Sequence, residues 1–325
     1  MTEPVLELRD LRVEIDTPSG RIRPVADVSL TLEAGQALGL VGESGSGKSL
    51  TLRAILGLLP RRARIAGGSV LLDGRPLVGA SALRHVRGRE IGMVFQEPQT
   101  ALNPVMRVGD QIAEGPRAVL GYSHRRARER ALELMREVGI PDPVRRAEAY
   151  PHELSGGLRQ RVMIAIALAL EPRILLCDEP TTALDVTVQG QILRLLADLR
   201  ERTGVALVYV SHDLAVVSQT CRDLAVMYAG VVVETGPVRD VFADPRHPYT
   251  RALLRSVIAL DTSGREPEPI PGSPPDAGAP PSGCHFHPRC AFRHEICDTG
   301  DYPLLPLGPA RASACAFHDE LPHGV

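Results

Sequence analysis

The chain has little lysine, no tryptophan and no aromatic residue before Phe95. Its basic residues are otherwise all arginine, thirty-six of them, and the one lysine is Lys48. It also lacks a net field: the formal charge is -2 and the two signs are interspersed, so no basic field argues for nucleic acid, no polybasic stretch argues for a lipid surface, and charge is silent about the partner. Long apolar runs are missing too. The longest beside a helical pattern, "VMIAIALAL" from Val162 to Leu170, is nine residues, about half of the roughly 20 that cross a bilayer. The N-terminus "MTEPVLELRD" has no basic segment followed by an apolar one, so no secretory signal is read and a cytoplasmic location is expected.

What is present is an ordinary globular composition, 44% apolar over 325 residues, enough for one large domain and a smaller one. The opening "LELRDLRVEI" and "VADVSLTLEAG" alternate at period two and predict an antiparallel sheet. "QALGLVG" is a buried-strand run, followed by a glycine-rich loop and the helical "SLTLRAILGLL". From about 107 to 170 the pattern is helical. Strand patterns return in "RILLCDEP", "GVALVYVSH" and "DLAVMYAG", with the helical "TVQGQILRLLADLRERTG" between them, so a parallel sheet with an inserted helical region is expected. After about 235 the composition changes; "REPEPIPGSPPDAGAPPSG" reads as a linker too rich in proline and glycine for helix or central strand.

Lys48 lies in Gly42, Glu43, Ser44, Gly45, Ser46, Gly47, Lys48, Ser49, which matches G-x-x-x-x-G-K-[ST] between a predicted strand and a predicted helix. In such a loop the glycines let backbone N–H groups turn inward around phosphate oxygens, and the next helix points its positive end at the same anion. A compact ammonium acts there as a point charge on the outer phosphates, whereas a planar guanidinium is broader and prefers two-pronged contacts. Ser49 is a candidate Mg2+ ligand, and Leu50 is a further candidate nucleotide-binding residue. Asp178, at the tip of "RILLCDEP", is a second candidate for the Mg2+ shell, and Glu179 can orient or deprotonate a water attacking the γ-phosphate.

The phosphate loop, "LSGG" from Leu154, "ILLCDEP", "ALD" from Ala183 to Asp185 and "SHD" from Ser211 to Asp213, in that order, resemble the nucleotide-binding subunit of an ATP-binding cassette (ABC) transporter over about residues 5 to 235. The resemblance implies a P-loop NTPase of the α/β class: a RecA-like parallel sheet, an antiparallel β subdomain and an inserted helical subdomain. It places the cassette at 1–235, with its helical insert at about 97–170, and a C-terminal extension at 236–325. It makes Gln96, in "MVFQEP", a sensor of the metal and the attacking water, and His212 the switch residue on the γ-phosphate. It implies that Ser155, Gly156 and Gly157 meet the ATP held by a second subunit, with Asp185 across the same interface.

Two positions depart from the family pattern. Leu158 replaces the glutamine that usually ends the signature, as in the peptide-importer branch. The aromatic that usually stacks on adenine is absent, leaving Ile15 or Ile22 as an apolar platform and a base-stacking loss on the order of 1 to 3 kcal/mol.

"FQEPQTALNPVMRVGDQIAEG", "YPHELSGGLRQRVMIAIALAL" and "DPRHPYTRALL" resemble the ATPases of oligopeptide and dipeptide importers, a group with nickel-uptake relatives. That resemblance implies an ATP-hydrolysing subunit powering peptide import, peripheral on the cytoplasmic face of the inner membrane. Its partners would be a second, non-identical ATPase, two membrane-spanning permeases and an extracytoplasmic binding protein, with no nucleic acid. The alternatives are uptake of nickel or another small solute, or a soluble ABC-type ATPase acting on DNA or ribosomes. A single cassette with a short helical insert argues against the last, and the presence of both Glu179 and His212 argues against a non-hydrolysing sensor.

Cys284, Cys290, Cys297 and Cys315 crowd the last 42 residues of the chain as C-x5-C-x6-C-x17-C. Four thiolates complete either a zinc site or a 4Fe-4S cluster, and the spacing does not choose between them. A reducing cytoplasm disfavours disulfides. A similar tail in some peptide-importer ATPases holds a 4Fe-4S cluster, and that resemblance favours iron and sulfur in a structural role. His285, His287, His294 and His318 are expected to be exposed rather than ligands.

Overall fold

The computed structural model describes residues 3–182, 184–258 and 268–324. The chain begins with β1 (Leu6–Thr17), β2 (Gly20–Leu32) and β3 (Ala37–Val41), then α1 (Lys48–Ile55), β4 (Ala63–Leu72) and β5 (Arg75–Pro76). A mainly helical stretch follows: α2 (Gly79–Val86), β6 (Ile91–Val94), α3 (Pro98–Ala101), α4 (Val108–Leu120), α5 (His124–Glu137), α6 (Pro143–Ala147) and α7 (Gly156–Leu168). Next come β7 (Ile174–Asp178), α8 (Val186–Thr203), β8 (Ala206–Ser211), α9 (Leu214–Thr220), β9 (Asp223–Tyr228) and β10 (Val231–Pro237). The last elements are α10 (Val238–Ala243), α11 (Pro248–Ile258), β11 (Leu305–Gly308) and β12 (Arg311–Ser313). These fall into two compact units, 1–78 with 209–325, and 79–208.

In the first unit, β2, β1, β4 and β5 form the expected antiparallel sheet, with Leu6 opposite Leu32 on one side and Leu72 on the other. Its period-two pattern buries Leu6, Leu8, Leu11 and Val13 against Val25, Val28 and Leu32. β3 is buried at all five positions, as a strand covered on both faces must be, and it pairs in parallel with β9, Leu40 opposite Ala225. Helix α1 is shorter than its apolar pattern suggests. It stops at Ile55 because Gly57 takes a left-handed φ of 60° and Pro60 follows.

The sheet is not purely parallel. Ala229 and Gly230, both at positive φ (46° and 85°), turn β9 directly back into β10 as a tight hairpin. β12 then pairs antiparallel with β10, Glu234 opposite Ser313, and β11 with β12. The cysteine-bearing tail thus contributes strands to the sheet that carries β3 and β9. Residues 268–283 of the predicted linker hold neither helix nor strand, and its first three residues lie outside the described ones.

In the second unit, β6 and β7 pair in parallel, Ile91 opposite Ile174, and both are buried at every position. Helix α7 buries Val162, Met163, Ile164, Ala165, Ala167 and Leu168, which explains why "VMIAIALAL" shows no polar face. Among the described residues, no helix is long and apolar enough to cross a membrane.

Candidate active site

The first unit carries the phosphate loop between β3 and α1. Gly42, Gly45 and Gly47 all have positive φ, at 150°, 81° and 100°. Two of them are also needed for space: a Cβ at Gly42 would stand 2.1 Å from the Met227 carbonyl oxygen, and one at Gly47 2.4 Å from that of Pro24. Ser44 and Gly45 are exposed at the loop's outer edge. Lys48 is only 5% exposed, and its Nζ donates to the carbonyls of Gly42 (2.8 Å) and Glu43 (2.9 Å) and to Ser46 Oγ (3.3 Å). The single ammonium therefore sits inside the ring of loop carbonyls, which orients it and keeps the loop wound. Ser49 and Leu50 lie half-buried in the first turn of α1. This arrangement suits a polyphosphate: a glycine cradle without Cβ atoms, backbone N–H groups at a helix start, and one buried cation.

Ile22 and Gly45 line the same cavity of about 790 Å3, and Ala229, His285 and Tyr302 line it too. Ile15, opposite Ile22 in the β1–β2 register, is not part of that wall. His212 is exposed just beyond β8, next to Asp213, whose carboxylate caps α9 by accepting from Ala215 N (2.9 Å).

The second unit carries the carboxylates. Asp178 ends β7 fully buried. Glu179 follows in a left-handed conformation, φ 46°, which a non-glycine residue adopts at a cost of order 1–3 kcal/mol. The kink turns its side chain out of the strand, half-buried. Gln96, just beyond β6, donates from Nε2 to Glu179 Oε2 at 3.2 Å, and Thr182 Oγ1 donates to the same oxygen at 2.8 Å. The structure thus joins Gln96 and Glu179, 83 residues apart, and adds Thr182, which the sequence reading missed.

Ser155 caps α7, its Oγ accepting from Leu158 N at 3.4 Å, and Ser155 and Gly156 are exposed at that helix start. Asp185 caps α8 in the same way, accepting from Val188 N at 3.0 Å. The two helix starts pack tightly, because a Cβ on Gly157 would stand 2.6 Å from Val188 Cγ1. Of "ALD", Ala183 lies outside the described residues.

Cys284, Cys290, Cys297 and Cys315 all line one small cavity, about 20 Å3, shared with Phe286, Phe292 and Phe317. All four are free thiols. Burial pushes the Cys290 thiol up to about 11 and Cys315 up to about 12. The cysteines converge, yet among the described residues no trio of His, Cys, Asp or Glu is gathered closely enough to hold a single metal ion. The neighbouring histidines are not exposed as expected. All four are half-buried: His285 contacts the Ala229 carbonyl (3.0 Å), His287 that of Cys284 (3.0 Å), His318 the Asp319 carboxylate (3.0 Å), and His294 stacks on Phe317 at 3.8 Å. Phe317 gives the His294 ring a surface to cover, and the other three are held by polar contacts, neither of which the spacing of the cysteines reveals.

Residues 25–182 match the family described as ABC transporter, and residues 233–297 match the oligopeptide/dipeptide transporter C-terminal region. A protein of Brucella abortus (strain 2308), named "Putative peptide import ATP-binding protein", is 49% identical over 316 residues, 97% of this chain and 95% of the relative. One of the same name from Brucella melitensis biotype 1 is 46% identical over 333 residues, 98% of each. Among solved structures, the ATP-binding cassette MJ0796, a dimer in a post-hydrolysis state bound to ADP and Pi, superposes with a TM-score of 0.64 at 30% identity, covering 72% of this chain and 99% of that one. The cbiO1 protein from Clostridium perfringens, part of the ABC transporter complex cbiONQ, gives a TM-score of 0.64 at 26% identity, covering 74% and 92%. The chain belongs to the ABC transporter family and carries the C-terminal region of its oligopeptide/dipeptide branch. It is an ATPase, splitting ATP with water to ADP and phosphate, and the family implies membrane permease partners and a paired ATPase.

Proposed function

We propose that the chain powers the import of peptides by hydrolysing ATP on the inner face of the membrane, as one of two non-identical ATPases docked on two permeases that receive solute from an extracytoplasmic binding protein. Residues 1–235 form the cassette and 236–325 its extension. The amides of Gly42, Ser44, Gly45 and Gly47 and the ammonium of Lys48 hold the β- and γ-phosphates, while Glu43, whose N–H is bonded to Tyr249 Oη, and Ser46, whose N–H returns to the Glu43 carbonyl, shape the cradle. Ser49, Asp178 and Gln96 would hold Mg2+, which neutralises charge building on the phosphate oxygens. Glu179 orients the attacking water and takes its proton, with Gln96 and Thr182 fixing the carboxylate. His212 contacts the γ-phosphate, and Ile22 is the apolar face for the base. Ser155, Gly156, Gly157 and Asp185 cover the nucleotide held by the second ATPase, the α7 N-terminus aimed at its γ-phosphate.

The contact between Gln96 and Glu179 is the observation that carries this reading. A glutamine on a glutamate held out by a left-handed kink at the tip of a buried strand suits a water-orienting pair better than a strand-end cap. The test is co-expression with the neighbouring permease and ATPase genes. Peptide-stimulated phosphate release from the co-purified complex is expected; a chain that binds MgATP but never associates with membrane subunits would overturn the import reading.

The four cysteines are proposed to hold a 4Fe-4S cluster rather than zinc. Support comes from the convergence of four free thiols on one aromatic-walled cavity, four thiolates being a ligand set for either centre, and from the resemblance of the tail to that of cluster-holding peptide-importer ATPases. Anaerobic purification should give iron and acid-labile sulfide in equal amounts with visible charge-transfer absorption. Zinc in their place would reverse the assignment.

A further inference from the structure

Glu43 is the second residue of the phosphate loop, and the C-terminal region grips it from two sides. Its backbone N–H donates to Tyr249 Oη at 2.8 Å. Its carboxylate receives a two-pronged fork from Arg289, Nη1 to Oε2 at 2.7 Å and Nη2 to Oε1 at 3.1 Å. Arg289 has 5% of its side chain exposed and Glu43 23%, so this is not a surface pair that solvent screens away. Every nitrogen of the guanidinium is occupied: Nε donates to the Pro271 carbonyl (2.7 Å), Nη2 also faces the Ile270 carbonyl (3.5 Å) and Nη1 reaches Tyr228 Oη (3.3 Å). Burial lowers the pKa of Arg289, but the bonds to Glu43 and Tyr228 outweigh it and hold the group above its ordinary value. Tyr228, Tyr249 and Phe286 pack on one another with ring centroids 4.5 to 5.4 Å apart, and the guanidinium lies 5.7 Å from the Tyr228 ring and 5.9 Å from that of Phe286. The next residue is Cys290, and both Cys290 and Phe286 line the four-cysteine cavity.

Without Arg289, a carboxylate would stand uncompensated in a loop that must accept several phosphate charges. We infer that Arg289 is a positioning residue for the phosphate loop: by neutralising and fixing Glu43, the cysteine-bearing region sets the affinity of the loop for nucleotide. This rests on the proposed assignment of residues 42–49 as the ATP site. A packing change in the four-cysteine cavity reaches the loop through one peptide bond and one ion pair.

The test uses the purified full-length chain and measures MgATP affinity by calorimetry together with KM and kcat for hydrolysis. Arg289→Ala should raise Kd and KM about tenfold, more than it lowers kcat, because it removes an interaction felt on binding. Adding Glu43→Gln to Arg289→Ala removes the uncompensated charge, so the double variant should bind more tightly than Arg289→Ala alone. A purely structural role would make the double variant no better. An unchanged Kd in Arg289→Ala, or a double variant as weak as the single, would overturn the inference. If Arg289→Ala does not fold, Arg289→Gln carries the same two comparisons. Wild-type and Lys48→Ala proteins separate the two levels: failure of the wild type to bind MgATP sinks the nucleotide reading and this inference together, whereas wild-type binding lost in Lys48→Ala but kept in Arg289→Ala sinks this inference alone.

Discussion

Glu179 illustrates how much depends on one backbone angle. Its φ of 46° turns the side chain from the buried line of β7 onto Gln96 and Thr182, so the carboxylate is both strained into place and held there. Glu179→Gln keeps the shape and removes the base. Turnover should fall at least about a hundredfold while MgATP affinity stays within about threefold, checked by phosphate release and calorimetry on the same preparation. The loop glycines allow a finer contrast. Gly42→Ala meets the Met227 carbonyl and should lose about 2 kcal/mol or more of stability in denaturant unfolding. Gly45→Ala meets nothing within 4 Å and bears only the left-handed strain, about 1 kcal/mol, so its defect should appear in nucleotide affinity instead.

At the scale of elements, the starts of α7 and α8 form a unit. Ser155 and Asp185 cap them, and Gly157 lets them approach so closely that one methyl group would collide with Val188. Gly157→Ala should destabilise the chain by about 1–3 kcal/mol, and Val188→Ala in the same chain should recover part of that loss, read as a coupling energy in a double-mutant cycle. Either cap is a local string, a serine or aspartate ahead of an apolar helical pattern, and so is of the kind a sequence can carry. The Gly157–Val188 approach is not, because it depends on how two helices meet. The same division holds for the strands. β3 and β7 announce themselves as short apolar runs, whereas β11 and β12 lie in a proline- and cysteine-rich tail and exist because β10 offers them an edge.

At the scale of the molecule, chemistry-bearing motifs were legible because each is a local string, and long-range supports were not. Lys48, Asp178, Glu179 and Ser155 could be found by reading; the hold of Tyr249 and Arg289 on Glu43 spans 206 and 246 residues and leaves no local mark. Another such support gives a pH test of the whole fold. Glu234 is fully buried and accepts from the backbone N–H groups of Arg246 (2.9 Å) and His247 (3.0 Å) and from Arg311 (2.9 Å), tying β10 to the segment before α11 and to β12. His247 is 1% exposed, and its Nδ1 accepts from Tyr249 N at 3.1 Å, so the neutral ring carries its proton on Nε2. Burial lowers its pKa from 6.5 to about 3. Between those values the unfolded chain binds a proton that the folded chain refuses, so stability is full above 6.5 and falls as pH drops, by up to about 1.4 kcal/mol per unit. Glu234 works in the opposite sense: burial raises its pKa despite its donors, so below that raised value the folded state takes up a proton first. The two separate by substitution. From pH 7.5 to pH 5, wild type should lose about 2 kcal/mol more in urea unfolding than His247→Gln, whose amide can accept from Tyr249 and does not titrate. Equal slopes in the two proteins would mean that His247 is protonated in the folded state, and that the wall between β10 and α11 admits water.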